Sequence, residues 1–439
     1  MNNAFGGMGF PPEAPIVLEF PVVMFDPGSD LTPLKENIDK IVYGLTRWEP
    51  ALKSKGIKYP PHVTIAGKDY EEAVTSMNRL FLKNLWGDGL PILPATRERV
   101  TWIMKGTDLP PDKAVGKILP RGGIATVEAL AVNLAMAGGR PEYLPVLVAA
   151  VEAMVIPKQR HFHANSTTNS CYPIVIVNGP IARQIRLNSG YGCLGPSSEF
   201  PAGAAIGRAL RLALLDIGGG IPGIGSMALY GGPARYTNIV FAEDEESLPK
   251  GWQQLSADFG YSKGKNTLVF HNVSGTSNVN RVSVGTEKSA LAALNLFAAF
   301  MRIPNANNYF LDTYQGSPGV VLMAKNTARG LAGQGWTKEK IKAYLWENTR
   351  LPWAEIEKCG LAEDVQRHGI KKGEMVPITG KPENIMIIVA GGEQSQHGYW
   401  MQMGVSGQPT TAEIKLPAQE KWQELMKQAE KDLGPVPAR

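Results

Sequence analysis

The sequence predicts an α/β fold in several layers, with mostly parallel buried strands, glycine-rich loops at strand ends and a small N-terminal α/β unit. The first observation behind this prediction is a set of short, apolar, β-branched runs, which are typical of buried strands. The second is that a glycine- or asparagine-containing loop follows such a run and leads towards a helical pattern. The four clearest runs are residues 174–177, 268–270, 320–323 and 385–389.

Composition and charge restrict the class of protein. The chain has 439 residues, 44% of them hydrophobic, which is enough for a large core and two or three domains. Only 19% are charged, so we expect other subunits of a homo-oligomer to cover part of the surface. The net charge of +5 comes from 45 basic and 40 acidic residues without a basic block, which argues against nucleic acid as a partner.

Cysteine usage and apolar patterning predict the location. The three cysteines, Cys171, Cys193 and Cys359, form no CxxC pair, which is typical of a reducing compartment without disulfides or a thiolate-rich metal site. The first 15 residues lack the charged and apolar regions of a secretory signal. Because no apolar stretch is long enough to span a bilayer, we expect a cytoplasmic protein without membrane contacts.

The N-terminal part is expected to hold a glycine- and proline-rich arm at residues 1–15 and the small α/β unit at residues 16–85. Apolar runs in this unit predict strands, and amphipathic patterns between prolines and polar turns predict helices. The strands are expected at residues 16–25 and 62–67, and the helices at residues 34–49 and 71–85.

The main domain is expected at residues 86–400, followed by a C-terminal helical extension at residues 401–439. Two of its helices, at residues 126–137 and 142–154, are apolar on most faces, which predicts that they lie in the core. The strand ends of a parallel sheet meet at one edge, so we expect the loops after the four apolar runs to converge on one site.

The strongest chemical signal is a glycine-rich loop at residues 188–196, between the strand at residues 174–177 and a helix at residues 204–216. Such a loop exposes backbone N–H groups beside the positive end of a helix dipole, which favours an anion or an oxyanion. The loop also carries Cys193. A helix N-terminus and the nearby Arg208 would lower its pKa and favour the nucleophilic thiolate.

Other candidate catalytic groups follow strands or lie in apolar helices. His397 follows the apolar run at residues 385–389 and its glycine pair, and His271 ends another run, so either imidazole could transfer protons near Cys193. Glu128 lies within an apolar helical pattern, where burial would raise its pKa and suit acid–base work. The alternative for each is structural, and Cys193 in particular could fill a gap in the core.

Candidate substrate-binding groups are short polar side chains, glycine N–H groups and arginines. The amides and hydroxyls suit hydrogen bonds to a ligand or, alternatively, turn and cap chemistry. The arginines suit a carboxylate or phosphate or, alternatively, a helix end or salt bridge. These candidates are Asn188, Ser189, Gly190, Gly192, Gly195, Arg121, Thr168, Asn169 and Arg208.

Several of these segments together resemble a known family. They are the stretches 86–91, 120–128, 139–143, 177–181, 188–190 with 195–196, and 206–211, with 388–392 near the end. In that order they resemble the larger domain associated with UGSC-type (seleno)proteins. The tetrapeptide that names those proteins, selenocysteine or cysteine followed by Gly-Ser-Cys, is absent from this chain. The resemblance implies a shared ligand site and no particular reaction.

We therefore predict a cytoplasmic enzyme without an organic cofactor that cleaves a small anionic or electrophilic substrate, as a hydrolase or lyase does. Cys193 would be its nucleophile or base. One alternative is a metal-dependent hydrolase or lyase, in which His161 and His163, on one face of a strand, bind a divalent metal. A second alternative is a non-catalytic ligand-binding or redox-partner subunit.

Overall fold

The fold is described from a computed structural model, which covers residues 27–49, 62–235, 237–404 and 407–437. The predicted arm at residues 1–15 and the strands predicted at residues 16–25 lie outside the described residues. The helix predicted at residues 34–49 is instead two short helices. Residues 62–69 form no strand, in contrast to the prediction.

The helices follow the predicted apolar patterns closely in the main domain. In chain order, they are α1 (Thr32–Glu36), α2 (Ile38–Thr46), α3 (Tyr70–Lys83), α4 (Arg97–Met104), α5 (Val127–Met136), α6 (Leu144–Met154), α7 (His161–Ser166), α8 (Ile181–Gln184), α9 (Ala202–Asp216), α10 (Glu287–Met301), α11 (Ala306–Tyr309), α12 (Lys325–Gly333), α13 (Lys338–Asn348), α14 (Trp353–Lys358), α15 (Ala362–Gln366) and α16 (Gln419–Leu433). Helices α3, α5, α6 and α9 confirm four predicted helices, and every end lies within two residues of the predicted one.

The strands form a small hairpin and one large sheet. They are β1 (Ala114–Ile118), β2 (Gly123–Thr126), β3 (Tyr172–Asn178), β4 (Ile239–Ala242), β5 (Thr267–Asn280), β6 (Gly319–Met323), β7 (Met386–Val389), β8 (His397–Met403) and β9 (Thr410–Glu413). The large sheet has the order β4-β3-β5-β8-β6-β7, and β9 pairs with β5.

The α/β class is confirmed, but the large sheet is mixed rather than mostly parallel. Strands β3 and β4 are parallel, as are β6 and β7, whereas β5 and β8 run antiparallel to their neighbours. The apolar runs predict buried strands, but they do not specify strand direction, which depends on the connections between strands. Strands β8 and β9 also belong to this sheet, so it continues past residue 400 into the predicted helical extension.

The sheet consists of two halves with the same topology. In residues 172–280, β3 is followed by helices, by the parallel strand β4 and then by the antiparallel strand β5 on its other side. In residues 319–403, β6, β7 and β8 repeat this order. The halves join where β5 pairs with β8, after a register shift between Val273 and Gly275. This irregularity bends the 14-residue strand from one half towards the other.

The sheet curls until its two edge strands meet at their carboxyl ends. The N–H of Asp244, just after β4, donates to the carbonyl of Val389 at the end of β7 (2.8 Å). The curled sheet encloses an apolar interior to which the six strands β3 to β8 contribute. The interior side chains include Tyr172, Ile174, Ile176, Ile239, Phe241, Val269, Val273, Val320, Leu322, Met386, Ile388 and Met401.

Helices cover the outer surface of both halves. Alternate residues of β3 and β5, such as Val175 and Phe270, pack outward against α5, α6 and α9. Residues of β6 and β7, such as Val321 and Ile387, pack against α10, α12 and α13. Polar side chains between the sheet and these helices are therefore shielded from water. Charges at such positions interact more strongly with one another than charges at the surface do.

Candidate functional site

The glycine-rich loop lies where the two edge strands meet. The carbonyl of Asn188 accepts a hydrogen bond from the N–H of Ala242 (2.9 Å), and that of Ser189 accepts one from Gly391 (2.8 Å). The loop after β6 also lies here, because Lys325 Nζ pairs with Glu393 Oε1 of the loop after β7 (2.5 Å). Three of the four loops predicted to converge therefore meet. The run at residues 268–270 does not take part as predicted, because it opens the long antiparallel strand β5.

Cys193 points into the apolar interior of the curled sheet. Its side chain belongs to the cluster that includes Ile176, Phe241 and Ile388, and the residue is only 6% exposed. Burial raises the pKa of the Cys193 thiol to about 12, which is opposite to the predicted decrease. The neutral thiol is therefore the stable form, and this environment matches the gap-filling alternative better than the nucleophile.

Much of the hydrogen-bonding capacity of the loop is used inside the loop. The N–H of Gly190 donates to Asn188 Oδ1 (2.8 Å), and Asn188 Nδ2 donates to the carbonyl of Tyr191 (2.9 Å). The N–H of Gly195 donates to the carbonyl of Gly192 (3.0 Å). These donors close turns and do not point together at one empty position, so the structural alternative explains them. The buried hydroxyl of Ser189 has no partner among the described residues.

The two predicted catalytic histidines lie in different environments. His271 is buried on β5, and burial lowers its pKa to about 4, against the opposing effect of a hydrogen bond with the backbone of Ser317. His397 is exposed at the start of β8, where Nδ1 lies 2.9 Å from Asn280 Oδ1 and 3.2 Å from Asn278 Oδ1. Within the described part of the chain, neither imidazole is hydrogen-bonded to Cys193.

Three charged candidates have structural partners or face solvent. Glu128 is exposed in the first turn of α5, which corrects the expectation of burial. Arg208 forms a bidentate pair with Asp88 (2.9 and 3.1 Å) and does not contact Cys193. Arg121 Nη1 donates to the carbonyl of Asp216 at the C-terminus of α9 (2.9 Å), which is the helix-end alternative.

Thr168 and Asn169 lie in the turn between α7 and β3. Thr168 is exposed, and its carbonyl accepts a hydrogen bond from the N–H of Leu229 (3.1 Å). The N–H of Asn169 donates to Thr167 Oγ1 (3.1 Å), and its own Oδ1 is buried without a partner among the described residues. These contacts fix the turn that leads to Cys171.

His161 and His163 lie in the helix α7, not in a strand, so their side chains do not share one face. His161 Nε2 accepts a hydrogen bond from the N–H of Leu119 (3.2 Å), and the ring also bonds the backbone of Lys117. These bonds engage the nitrogens that a metal would need. Among residues 27–49, 62–235, 237–404 and 407–437, no group of three potential His, Cys, Asp or Glu ligands comes together.

A different site lies between α7, α9 and the start of β3. A narrow cavity there is lined by Arg211 of α9 and by Arg235 from the segment before β4. These residues are 5% and 7% exposed, and Nη1 of each has no partner among the described residues. Buried guanidinium groups with an unpartnered nitrogen strongly favour an anion between or beside them.

The chain positions the two guanidinium groups differently. Arg211 lies in the middle of α9, a helix buried on most faces, so its side chain is held by packing. Arg235 Nη2 donates to the carbonyl of Asn165 (3.2 Å) and to Ser226 Oγ (2.9 Å). Burial and the positive charge of Arg235 lower the pKa of Arg211 to about 10, and burial also lowers the pKa of Arg235.

The remaining lining is polar on one side and apolar on the other. The room for a water-sized group in this cavity is about 10 Å³, close to what one water molecule needs. A ligand larger than water therefore enters only if side chains of the lining move. Its polar residues include Asn165 and Asn272, each with an unpartnered Oδ1 among the described residues, and Cys171. The space as it stands suits one small group held by several polar atoms.

This site is not among those predicted from the sequence. An arginine amid the apolar pattern of α9 was a usable signal for Arg211, because a charge on a buried helix face needs a partner. No comparable signal marks Arg235, which lies in a glycine-rich connection without periodicity. Its approach to Arg211 depends on the tertiary structure alone.

Comparisons with known proteins leave the family open. No family model, curated protein or solved structure matches the chain. The resemblance to the UGSC-associated domain therefore stays a prediction. None of the described helices combines the length and apolar character needed to cross a membrane.

Proposed function

We propose that the protein binds a small anion in the cavity between Arg211 and Arg235. The observation that carries this proposal is the pair of nearly fully buried guanidinium groups, each with an unpartnered Nη1, lining the same cavity. A buried charge without a partner costs several kcal/mol. A bound anion offsets that cost through charge-assisted hydrogen bonds.

The enzyme predicted from the sequence fits this cavity better than the glycine-rich loop. A hydrolase or lyase for a small anionic substrate needs a cationic binding group, and Arg211 and Arg235 supply it. The loop around Cys193 offers an apolar interior and donors that already have partners. A non-catalytic ligand-binding protein would use the same cavity, and turnover of small carboxylic acids distinguishes the two functions.

Formate is expected to stabilise the folded protein more than formamide, its neutral analogue, or gluconate, an anion too bulky for the cavity. Formate at 100 times its Kd would raise the free energy of unfolding by about 2.7 kcal/mol. The measurement is the unfolding midpoint at constant ionic strength, with sodium gluconate replacing sodium formate.

Arg211→Met is the decisive variant in this experiment. It removes a buried charge, so we expect little loss of stability without formate and no stabilisation with it. Arg183→Met is the matched control, because that arginine is half-exposed and pairs with Glu246 at the surface. Equal effects of formate on the wild type and on Arg211→Met would contradict the proposal.

Formate affinity is expected to rise as the pH falls from 7 to 5. Burial raises the pKa of Asp216 from its usual 3.8 to about 6, with the carboxylate of Asp88 adding to this, while the Gly87 N–H and the positive charges of Arg121 and Arg211 oppose it. Neutralising Asp216 removes a negative charge that competes with the anion for Arg211. The expected gain is about threefold to tenfold in affinity.

The Asp216→Asn variant is the control for this pH dependence. Because the amide does not titrate, the affinity of this variant for formate should be high and nearly constant from pH 7 to 5. The same titration affects stability. Because the folded pKa lies above the unfolded one, the stability from the neutral carboxyl is present below about pH 4 and is lost as the pH rises through 6. A flat affinity profile in the wild type would show that Asp216 does not act on the site.

We also propose a cytoplasmic location and a homo-oligomer. The location rests on the sequence. The oligomer is supported by apolar side chains that face solvent in two places: Val42 and Leu45 on α2, and Leu229 and Tyr230 in the segment before β4. A second copy of the chain would remove such side chains from water. Analytical ultracentrifugation of the purified chain tests this.

A further inference from the structure

We infer that Cys171 is the nucleophile for a carboxylate-bearing electrophile whose carboxylate binds to Arg211 and Arg235. This inference rests on the proposed anion site and goes beyond it, because it names the reacting atom and the chemical class of the substrate. It also replaces Cys193, whose side chain is buried in the apolar interior of the sheet.

The position of Cys171 is the first argument. The residue directly precedes β3 and is 1% exposed, and it lines the same cavity as Arg211 and Arg235. Its Sγ donates a hydrogen bond to the carbonyl of Ala164 on α7 (3.3 Å). The sulfur is therefore held at the wall of the cavity that holds the two guanidinium groups.

The packing behind Cys171 is the second argument. A Cβ atom added at Gly404 would lie only 2.5 Å from Cys171 Cβ, so the backbone after β8 closes the space behind this residue. The turn before it is fixed by the hydrogen bond from Asn169 to Thr167 Oγ1. A nucleophile needs such a fixed position, because reaction depends on the approach of two atoms to a defined distance.

Electrostatics are the third argument. Burial favours the neutral thiol at Cys171 as it does at Cys193, but the positive charge of Arg235 interacts with Cys171 and offsets part of this cost, whereas none of the described cations acts on Cys193. A carboxylate bound to the two arginines would bring the carbon next to it towards the sulfur. Two independent features, the unpartnered arginines and the adjacent thiol, thus suit one class of substrate.

The reaction is a nucleophilic substitution. The sulfur lone pair forms a bond to the carbon next to the carboxylate, and the bond from that carbon to its leaving group breaks. The leaving group departs with the bonding electron pair, and the thiol proton passes to solvent. No oxidant, reductant or second substrate is needed for this step.

Iodoacetate and iodoacetamide test this inference, because they differ only in the carboxylate. Each would be reacted with the native protein, and alkylation at Cys171, Cys193 and Cys359 would be followed by mass spectrometry. Cys359 is exposed and reports the ordinary preference of a free thiol. We expect the rate ratio of iodoacetate to iodoacetamide to be about tenfold higher at Cys171 than at Cys359, as one charge-assisted anchor would give.

Two further measurements separate this inference from the proposed anion site. In the wild-type protein, added formate should slow the reaction of Cys171 with iodoacetate, because both compete for the two arginines. Arg211→Met should reduce the rate ratio at Cys171 to that of Cys359, whereas Arg183→Met should leave it unchanged. Cys193 should stay unlabelled until the protein unfolds.

The outcomes are distinct. If formate stabilises the protein through Arg211 but Cys171 is inert or shows the ratio of Cys359, the anion site stands and the nucleophile is wrong. If formate neither stabilises the protein nor protects Cys171, the anion site is wrong and this inference is overturned with it. Labelling of native Cys193 in preference to Cys171 would also overturn it.

Discussion

Replacing Lys338 with methionine is expected to destabilise the folded protein by about 3–5 kcal/mol. Lys338 Nζ lies 3.0 Å from Glu243 Oε1, and the two side chains are only 5% and 0% exposed. The other carboxylate oxygen accepts hydrogen bonds from the N–H of Leu255 (2.6 Å) and from Asn178 Nδ2 (2.8 Å). Methionine would leave this carboxylate buried without its cation.

The position of this pair adds to the expected effect. Glu243 follows β4 in the first half of the sheet, and Lys338 begins α13, which packs on the second half. The pair therefore connects the two halves beside the contact between Asp244 and Val389. Its loss would weaken the place where the curled sheet closes.

Urea unfolding of four proteins would measure this effect: the wild type, Lys338→Met, Glu243→Gln and the double variant. The double variant should recover part of the loss, because a neutral amide no longer needs the cation. Lys265→Met is the control, since Lys265 pairs with Glu413 at 3.7 Å on the surface and should change stability by about 0.5 kcal/mol or less. A cost below about 1 kcal/mol for Lys338→Met would show that solvent reaches Glu243.

Gly207→Ala is expected to destabilise the protein by about 3 kcal/mol. This is the opposite of helix propensity, because alanine is more favourable than glycine in a helix by about 1 kcal/mol. Gly207 lies within α9, and a Cβ atom there would lie 2.1 Å from the carbonyl oxygen of Thr237. The obstacle is backbone, which cannot rotate away as a side chain can. The helix would have to separate from the chain that enters β4.

Gly333→Ala is the matched control for this prediction. Gly333 ends α12, is exposed, and has no atom within 4 Å of its added Cβ. The same substitution should therefore leave stability unchanged or raise it by up to about 1 kcal/mol. Calorimetric unfolding of both variants gives the comparison, and a stabilising Gly207→Ala would mean that α9 does not pack against residue 237 as closely as described.

The change at Gly207 also bears on the candidate site, because α9 carries Arg211 one turn later. A shift of the helix would move this guanidinium relative to Arg235. We therefore expect Gly207→Ala to weaken the stabilisation by formate as well, whereas Gly333→Ala should leave it unchanged.

The sequence predicted local structure well where one short segment contains the information. The apolar patterns of α5, α6 and α9 located these helices, and the apolar runs located β3, β6 and β7. Hydrophobic periodicity determines such elements because it follows from the repeat of a helix or strand. The prediction at residues 62–67 was wrong, because alternating apolar residues form a strand only beside another strand, and none of the described strands pairs with this segment.

The glycine-rich loop also combines local features, which the sequence predicts, with tertiary features, which it does not. The sequence correctly predicted a loop that meets the loop after β7, since both follow apolar runs. Whether Cys193 could act as a nucleophile depended on the direction in which its side chain points. That direction, into the apolar interior, follows from the closure of the sheet and raises the thiol pKa instead of lowering it.

The sequence by itself therefore determined the α/β class, the main helices and the glycine-rich turns of this protein. The tertiary structure alone decided the strand directions, the burial of Cys193 and the approach of Arg211 and Arg235. The physical reason is the distance along the chain over which each kind of interaction acts. Periodicity and turn chemistry act between residues close along the chain, whereas desolvation and charge interactions depend on groups that folding brings together from distant segments.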